Sequence, residues 1–258
     1  MVRLLTLFYG VACYAIFFGA FLYLVGFLAN FGVPKGIDDG TAPGMLAALA
    51  VNLALVALFG LQHSIMARPA FKAWWTRMVP KPVERSTYVL ATSVILALIY
   101  WLWQPIPQTV WQASTTWGQG LLWAAFGGGF LIVLLSTFMT DHFDLFGLRQ
   151  VYLRFLETPY RNPDFKVIWF YRFVRHPLYT GMFFALWATP HMTLGHLLFA
   201  GALTIYVVIA VRFEERDLVA MLGEEYRDYQ QRVPMFAPMP GKTSETIRTH
   251  DPAPSGMR

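Results

Sequence analysis

Apolar residues in this chain come in long uninterrupted blocks, unlike the alternation or one-sided stripes of a soluble fold. Leu4 to Ala29 contains no charged residue, and about 20 apolar residues are enough to cross a hydrocarbon core. The pattern recurs, and six apolar helices are predicted, over 4–29, 44–63, 87–103, 118–140, 177–190 and 196–212. The fold class expected is all-α: a polytopic transmembrane helical bundle of five to six membrane helices. The count is open because Pro190 interrupts the fifth block and only residues 191–195 separate it from the sixth. That pair reads either as two full spans or as a shallow, tilted hairpin. The first block is too long for the apolar region of a secretion signal and lacks a small-residue cleavage site, so it reads as a retained span.

Beyond the sixth block, Leu218, Leu222, Tyr226, Tyr229 and Val233 recur at spacings of three or four with charges between them. This predicts a C-terminal amphipathic helix against the membrane face or the bundle end, with Gly223 able to divide it. From Gly241 the sequence turns polar, with Pro252 and Pro254, and a disordered tail over 241–258 is expected. Residues 1–240 are read as one membrane domain, with no internal repeat.

Charge distribution adds an orientation. Apolar residues make up 56% of the chain and charged ones 14%, well below the roughly 25% of soluble proteins. Arg68, Lys72, Arg77, Lys81 and Arg85 lie between the second and third blocks, and Arg149, Arg154, Arg161, Lys166, Arg172 and Arg175 between the fourth and fifth. Residues 104–116 have no Lys or Arg, and 30–43 only Lys35. By the positive-inside rule, both termini and the two basic loops face the cytoplasm. The net charge of +5 belongs to these loops and gives no reason to expect nucleic acid. Trp74, Trp75, Trp101, Trp103, Trp111, Trp117 and Trp169 fall near predicted interfaces, as anchors do. Cys13 is the sole cysteine, so no internal disulfide is possible, and it reads as a small packing residue.

The candidate chemistry gathers at the cytoplasmic helix ends. Arg175-His176-Pro177-Leu178-Tyr179-Thr180-Gly181 marks the point where a basic loop becomes apolar helix. Pro177 suits a first helical position, and the free N–H groups of such a helix start favour anions. Arg212, Glu214 and Glu215 close the sixth block and are expected alongside it. Gln62-His63-Ser64 and Asp141-His142-Phe143-Asp144 end the second and fourth. Ionisable groups at membrane depth are costly and point to function, although at an interface they also simply end helices. A metal centre is the weaker reading, since there is no His-x-x-x-His pair and no cysteine ligand nearby. No Gly-x-Gly-x-x-Gly stretch follows a strand, which excludes a Rossmann domain. Gly127-Gly128-Gly129 is read as a close helix contact.

The order and spacing of Arg175-His176-Pro177-x-Tyr179-x-Gly181, Arg212-x-Glu214-Glu215, Leu218, Gly223, Tyr226, Tyr229 and Val233 resemble the C-terminal region of the isoprenylcysteine carboxyl methyltransferases. Upstream, Gln62-His63-Ser64, Trp74-Trp75, Glu84-Arg85-Ser86-Thr87-Tyr88, Trp103-Gln104-Pro105 and His142 to Gln150 resemble the bacterial methanethiol S-methyltransferases and their NnrU-like relatives. The resemblance implies an integral protein of the bacterial inner membrane that uses S-adenosylmethionine to convert a small thiol, methanethiol, to dimethyl sulfide. It also implies His176, Tyr179, Gly181 and the Glu214/Glu215 pair as cofactor contacts, and Arg175 joins them as a partner for the cofactor's carboxylate, since a guanidinium pairs well with a planar anion. From the chemistry of thiol methylation, Asp141 and His142 are expected as an acid–base pair, with Arg212 and Glu215 bordering the reacting centre. The competing reading makes Asp141 and His142 the cap of the fourth helix. Two rival functions share parts of the pattern, an NADPH-dependent membrane reductase of the sterol-reductase type and a non-catalytic NnrU-like protein. Besides membrane lipid and the thiol no partner is implied, and no oligomeric state.

Overall fold

A computed structural model describes residues 1–42, 44–161, 165–244 and 247–248. In chain order the elements are α1 (Val2–Ala29), α2 (Met45–Ala67), α3 (Pro69–Trp75), α4 (Lys81–Leu102), β1 (Thr109–Gln112), α5 (Thr116–Thr140), α6 (His142–Leu145), α7 (Leu148–Phe155), β2 (Lys166–Val167), a 3-10 turn at Trp169–Arg172, α8 (Pro177–Trp187), β3 (His191–Thr193), α9 (Leu194–Leu222), α10 (Glu224–Arg232) and β4 (Ile247–Arg248). Five of them, α1, α2, α4, α5 and α9, are long and apolar enough to cross a membrane. Their outward faces carry exposed Leu5, Phe8, Leu22, Leu53, Leu121 and Ile205, the surface of helices solvated by lipid. The chain is an integral membrane bundle.

The expected fifth helix is shorter than its apolar block. α8 ends at Trp187 after 11 residues, about 16 Å of helix, because Pro190 lies ahead and cannot continue it. Extended chain completes the passage. β3 pairs antiparallel with β1, and Ala113 N–H donates to Pro190 O at 2.8 Å. β1 leads directly into α5, so the short helix and its extension reach the far end of the bundle. Because α9 then returns, the start of α1 and α10 lie at one end of the molecule, where Arg3 meets Glu157 and Arg68 meets Asp217 at 3.2 Å.

α9 is longer than the sixth apolar block. It runs through Arg212, Glu214 and Glu215 to Leu222 and so absorbs the first half of the expected amphipathic helix. Gly223, at φ 62°, breaks it where an L side chain would be strained. α10 then buries Tyr226 and Tyr229 against Val167, Val233, Phe165, Leu218 and Leu222. α4 begins at Lys81, six residues before the expected start, since Pro82 and Glu84 are favourable first-turn residues. Among the tryptophans expected near interfaces, Trp103 at the end of α4 is fully buried, edge-on to Phe27 and Phe199. Cys13 is buried within α1.

α5 and α8 meet backbone to backbone. A Cβ on Gly181 would come within 2.6 Å of Gly129 O, and one on Gly129 within 2.7 Å of Gly181 O. The two glycines let α8 press directly onto α5, setting the helix start near the end of α5. After Gly241, Ser244 N–H donates to Arg172 O at 3.0 Å, and β4 pairs with β2. Residues 245–246 and 249–258 of the expected tail lie outside the described residues.

Candidate functional site

The site grows from the segment that opens α8. Two main-chain bonds clamp it against the chain after α10: Arg175 N–H to Pro234 O at 2.9 Å and His176 N–H to Met235 O at 3.1 Å. Thr180 Oγ1 adds a third, to Phe236 O at 2.7 Å. This places Arg175 and His176 against α9, where Glu215 faces inward. Glu215 Oε1 accepts from Arg175 Nε at 2.6 Å and from His176 Nε2 at 2.9 Å, and its Oε2 accepts from Gln230 Nε2 at 3.1 Å. The side chains of Arg175 and Glu215 are 10% and 11% exposed. At that burial neither charge is tolerable alone, and together they are held by charge-assisted hydrogen bonds. Arg175 also donates through Nη1 to Gln230 O at 3.0 Å and Val233 O at 2.6 Å. One guanidinium thus ties α8, α9 and α10 together.

One turn into α8, Tyr179 donates to Glu214 Oε2 at 2.9 Å. The phenol is the donor in this bond, since a carboxylate only accepts. Glu214 Oε1 accepts no hydrogen bond from a described side chain. Tyr171, in the 3-10 turn, lies within electrostatic reach of Glu214. A carboxylate with a spare acceptor, set among tyrosine rings, is suited to a ligand that is cationic and carries hydrogen-bond donors.

A profile of the NnrU protein family matches residues 51–243. The chain belongs to the NnrU family. A protein of Crocosphaera subtropica named methanethiol S-methyltransferase is 50% identical over 242 residues, covering 94% of this chain and 95% of that one. One of Mycobacterium tuberculosis with the same name is 50% identical over 240 residues, covering 93% and 98%. Nurim of Sus scrofa is a more distant relative, 30% identical over 204 residues, covering 72% and 78%. No solved structure matches the chain significantly.

Within this NnrU-family bundle, the sequence-derived residues divide into groups. Arg175, His176, Tyr179, Glu214 and Glu215 are brought together. Gly181 makes a helix contact with Gly129 beside them. Arg212 lies exposed on α9, with no hydrogen bond or ion pair among the described residues. Asp141 and His142 are neighbours in sequence whose side chains take separate partners. Asp141, at φ 105°, accepts from Asp144 N–H at 3.2 Å as the N-cap of α6, and lies 3.9 Å from Arg149.

His142 is buried between two hydroxyls, with Nε2 2.7 Å from Tyr14 Oη and Nδ1 2.8 Å from Thr137 Oγ1. Thr137 donates its own proton to Leu134 O at 2.6 Å. It therefore accepts from Nδ1–H, leaving Nε2 to accept from Tyr14. Burial lowers the His142 pKa, with Asp141 partly opposing, in keeping with this neutral tautomer. Among the described residues no group of three or more His, Cys, Asp or Glu side chains gathers as metal ligands. Sequence reasoning missed Tyr171, Gln230 and Tyr14. Gln230 sits in the recognisable C-terminal stretch, whereas nothing local in the sequence marks Tyr14.

Proposed function

We propose that this protein methylates methanethiol to dimethyl sulfide with S-adenosylmethionine as donor, in the bacterial inner membrane, with both termini and the site on the cytoplasmic side. The observation that carries this reading is the clustering of Tyr179, Glu214 and Tyr171 over the Arg175–His176–Glu215 tie, in a chain half identical to methanethiol S-methyltransferases along nearly its whole length. The donor chemistry suits these groups. Bound there, S-adenosylmethionine supplies an electrophilic methyl on a sulfonium. Tyrosine faces stabilise that positive charge, and Glu214 Oε1 accepts from a ribose hydroxyl or the amino group. Arg175 and His176 are committed to Glu215 and the α10 carbonyls, so their part is to hold the pocket wall. The donor's carboxylate then falls to the unspent N–H groups at the start of α8. Gly181 contributes by seating α8 on α5, Asp141 and His142 form the wall at the end of α5, and Arg212 is a border charge. The basic residues at this end of the bundle support its cytoplasmic placement.

The test supplies membranes containing the protein with labelled S-adenosylmethionine and methanethiol and assays the headspace. Labelled dimethyl sulfide is expected. Its absence in membranes that hold folded protein refutes the reading. An NADPH-dependent reductase would instead oxidise NADPH and leave the headspace unlabelled.

A further inference from the structure

On the outside of the bundle, α2 and α9 leave a groove of about 760 Å³ between them. Leu53, Leu61, Ile205 and Ile209 along its walls are exposed, so it opens toward lipid. On α2 it runs from Leu53 to Arg68 and on α9 from Ala202 to Phe213, about 22 and 16 Å of helix. One leaflet is about 15 Å of hydrocarbon, half of the roughly 30 Å core. The groove therefore spans one leaflet and reaches headgroup level, at the end of the bundle that carries Glu215. Among the described residues that line it, only Ser64, Arg68 and Tyr206 have polar side chains.

Those polar groups are ordered by depth. A Cβ on Gly60 would come within 3.1 Å of the Tyr206 ring, so that ring lies across α2 at Gly60 and forms a floor. Its hydroxyl accepts from Ser64 Oγ at 3.2 Å, and its own proton has no acceptor among the described residues. Ser64 lies one helical turn before Arg68, about 6 Å deeper. At the mouth, two guanidinium groups face the Phe213 ring, Arg68 at 5.0 Å and Arg216 at 5.7 Å from its centroid. Arg68 also meets Asp217 at 3.2 Å, whereas Arg216 makes no hydrogen bond or ion pair among the described residues. Two cations against one carboxylate leave a single positive charge there. From water inward the groove presents guanidinium, then hydroxyl, then hydrocarbon. That is the order of phosphate, glycerol ester and acyl chain in a glycerophospholipid.

We propose that the groove between α2 and α9 is a binding site for one anionic glycerophospholipid whose head alcohol is uncharged, of the phosphatidylglycerol type. Its phosphodiester accepts from Arg68 and Arg216, whose planar donor forks suit phosphate oxygens. The Tyr206 hydroxyl donates to an ester carbonyl, and one acyl chain lies against Ala57, Ile205 and Ile209. Charge selects the headgroup. With Asp217 held by Arg68, the single excess positive charge matches a phosphodiester alone, whereas a choline or ethanolamine head would bring another cation beside Arg216. Apolar contact by itself would not discriminate, because the tails of all these lipids are equally apolar. The inference requires only the membrane bundle and stands apart from the methyl-transfer reading.

The test is native mass spectrometry of the full chain in detergent. The protein is first equilibrated with equal amounts of phosphatidylglycerol, phosphatidylethanolamine and phosphatidylcholine bearing the same acyl chains. Wild type should retain one phosphatidylglycerol, favoured at least about fivefold over either zwitterionic lipid. Arg68→Gln combined with Arg216→Gln should bring that ratio to within about twofold, and Asp217→Asn should raise it about fivefold. Ala57→Phe, which fills the acyl section, should lower retention of all three lipids alike. Melting temperature reports whether each variant is folded. The wild-type comparison needs no variant: equal retention of the three lipids, preference for phosphatidylethanolamine, no retained lipid, or a second copy of the chain in place of lipid overturns the proposal. So does a phosphatidylglycerol preference that survives in the folded double arginine variant, or one that fails to rise in Asp217→Asn.

Discussion

Glu215→Gln isolates the charge that holds the site closed. The substitution keeps the shape but turns one acceptor oxygen into a donor amide, and it removes the negative charge on which Arg175 and His176 converge at 2.6 and 2.9 Å. Arg175 then remains about nine-tenths buried with only neutral carbonyls around it. Leaving one member of a buried pair unpaired costs about 3–5 kcal/mol, while replacing both with apolar residues of similar volume is often neutral. Because Gln still accepts one hydrogen bond and Val233 O and Gln230 O remain, the lower figure applies, about 3 kcal/mol. That is a better than hundredfold shift in the equilibrium closing α8 onto α9 and α10, and roughly 6–12 °C in melting temperature. Thermal unfolding in detergent and S-adenosylhomocysteine titration measure both. A double replacement, Arg175→Met with Glu215→Leu, should restore the melting temperature but not the binding. Wild-type melting and wild-type affinity in Glu215→Gln would refute the claim that this ion pair builds the pocket.

Other expectations follow from named contacts. Gly181→Ala puts a methyl within 2.6 Å of Gly129 O, which should destabilise the protein by about 1–3 kcal/mol and lower donor affinity by displacing α8, both visible in the same titration. Tyr179→Phe removes the 2.9 Å hydrogen bond to Glu214, and the freed carboxylate should weaken S-adenosylhomocysteine binding about tenfold, with melting little changed. His142 has a folded-state pKa lowered from 6.5, so between that value and the lowered one the unfolded chain binds more protons than the folded one. Stability should therefore be level above pH 6.5 and fall on acidification below it. His142→Gln should flatten that slope, as read by melting temperature against pH.

Much of this was legible in the chain because bilayer crossing imposes a length and a composition that leave few alternatives. The first, second and fourth spans lie close to their expected positions for that reason. The fifth and sixth differ because hydropathy does not locate a helix end: Pro190 stops α8 early, and α9 continues through Arg212, Glu214 and Glu215 once these can reach water or partners. The Arg175–His176–Glu215 grouping was readable because Pro177 fixes a helix start and the charged end of α9 must return to the same face. The partners of His142 were not readable. Tyr14 lies 128 residues away on α1, and only the packing of α1 against α7 brings its hydroxyl to the ring. The placement of Asp141 and His142 was not readable either: Asp141, at positive φ, caps α6, and the His142 ring is buried. Gly181 belonged to the motif by spacing, and its contact with Gly129 depends on a helix crossing that no local pattern encodes.

The central claim is that the clamp between α8, α9 and α10 forms a pocket for a sulfonium methyl donor. Calorimetric titration of the purified protein with S-adenosylhomocysteine, with NADPH as the competing ligand, tests it most directly. Saturable one-to-one binding of S-adenosylhomocysteine, weakened at least tenfold by Glu215→Gln and absent for NADPH, is the predicted result. No heat from S-adenosylhomocysteine, or tight binding of NADPH in its place, would contradict the account.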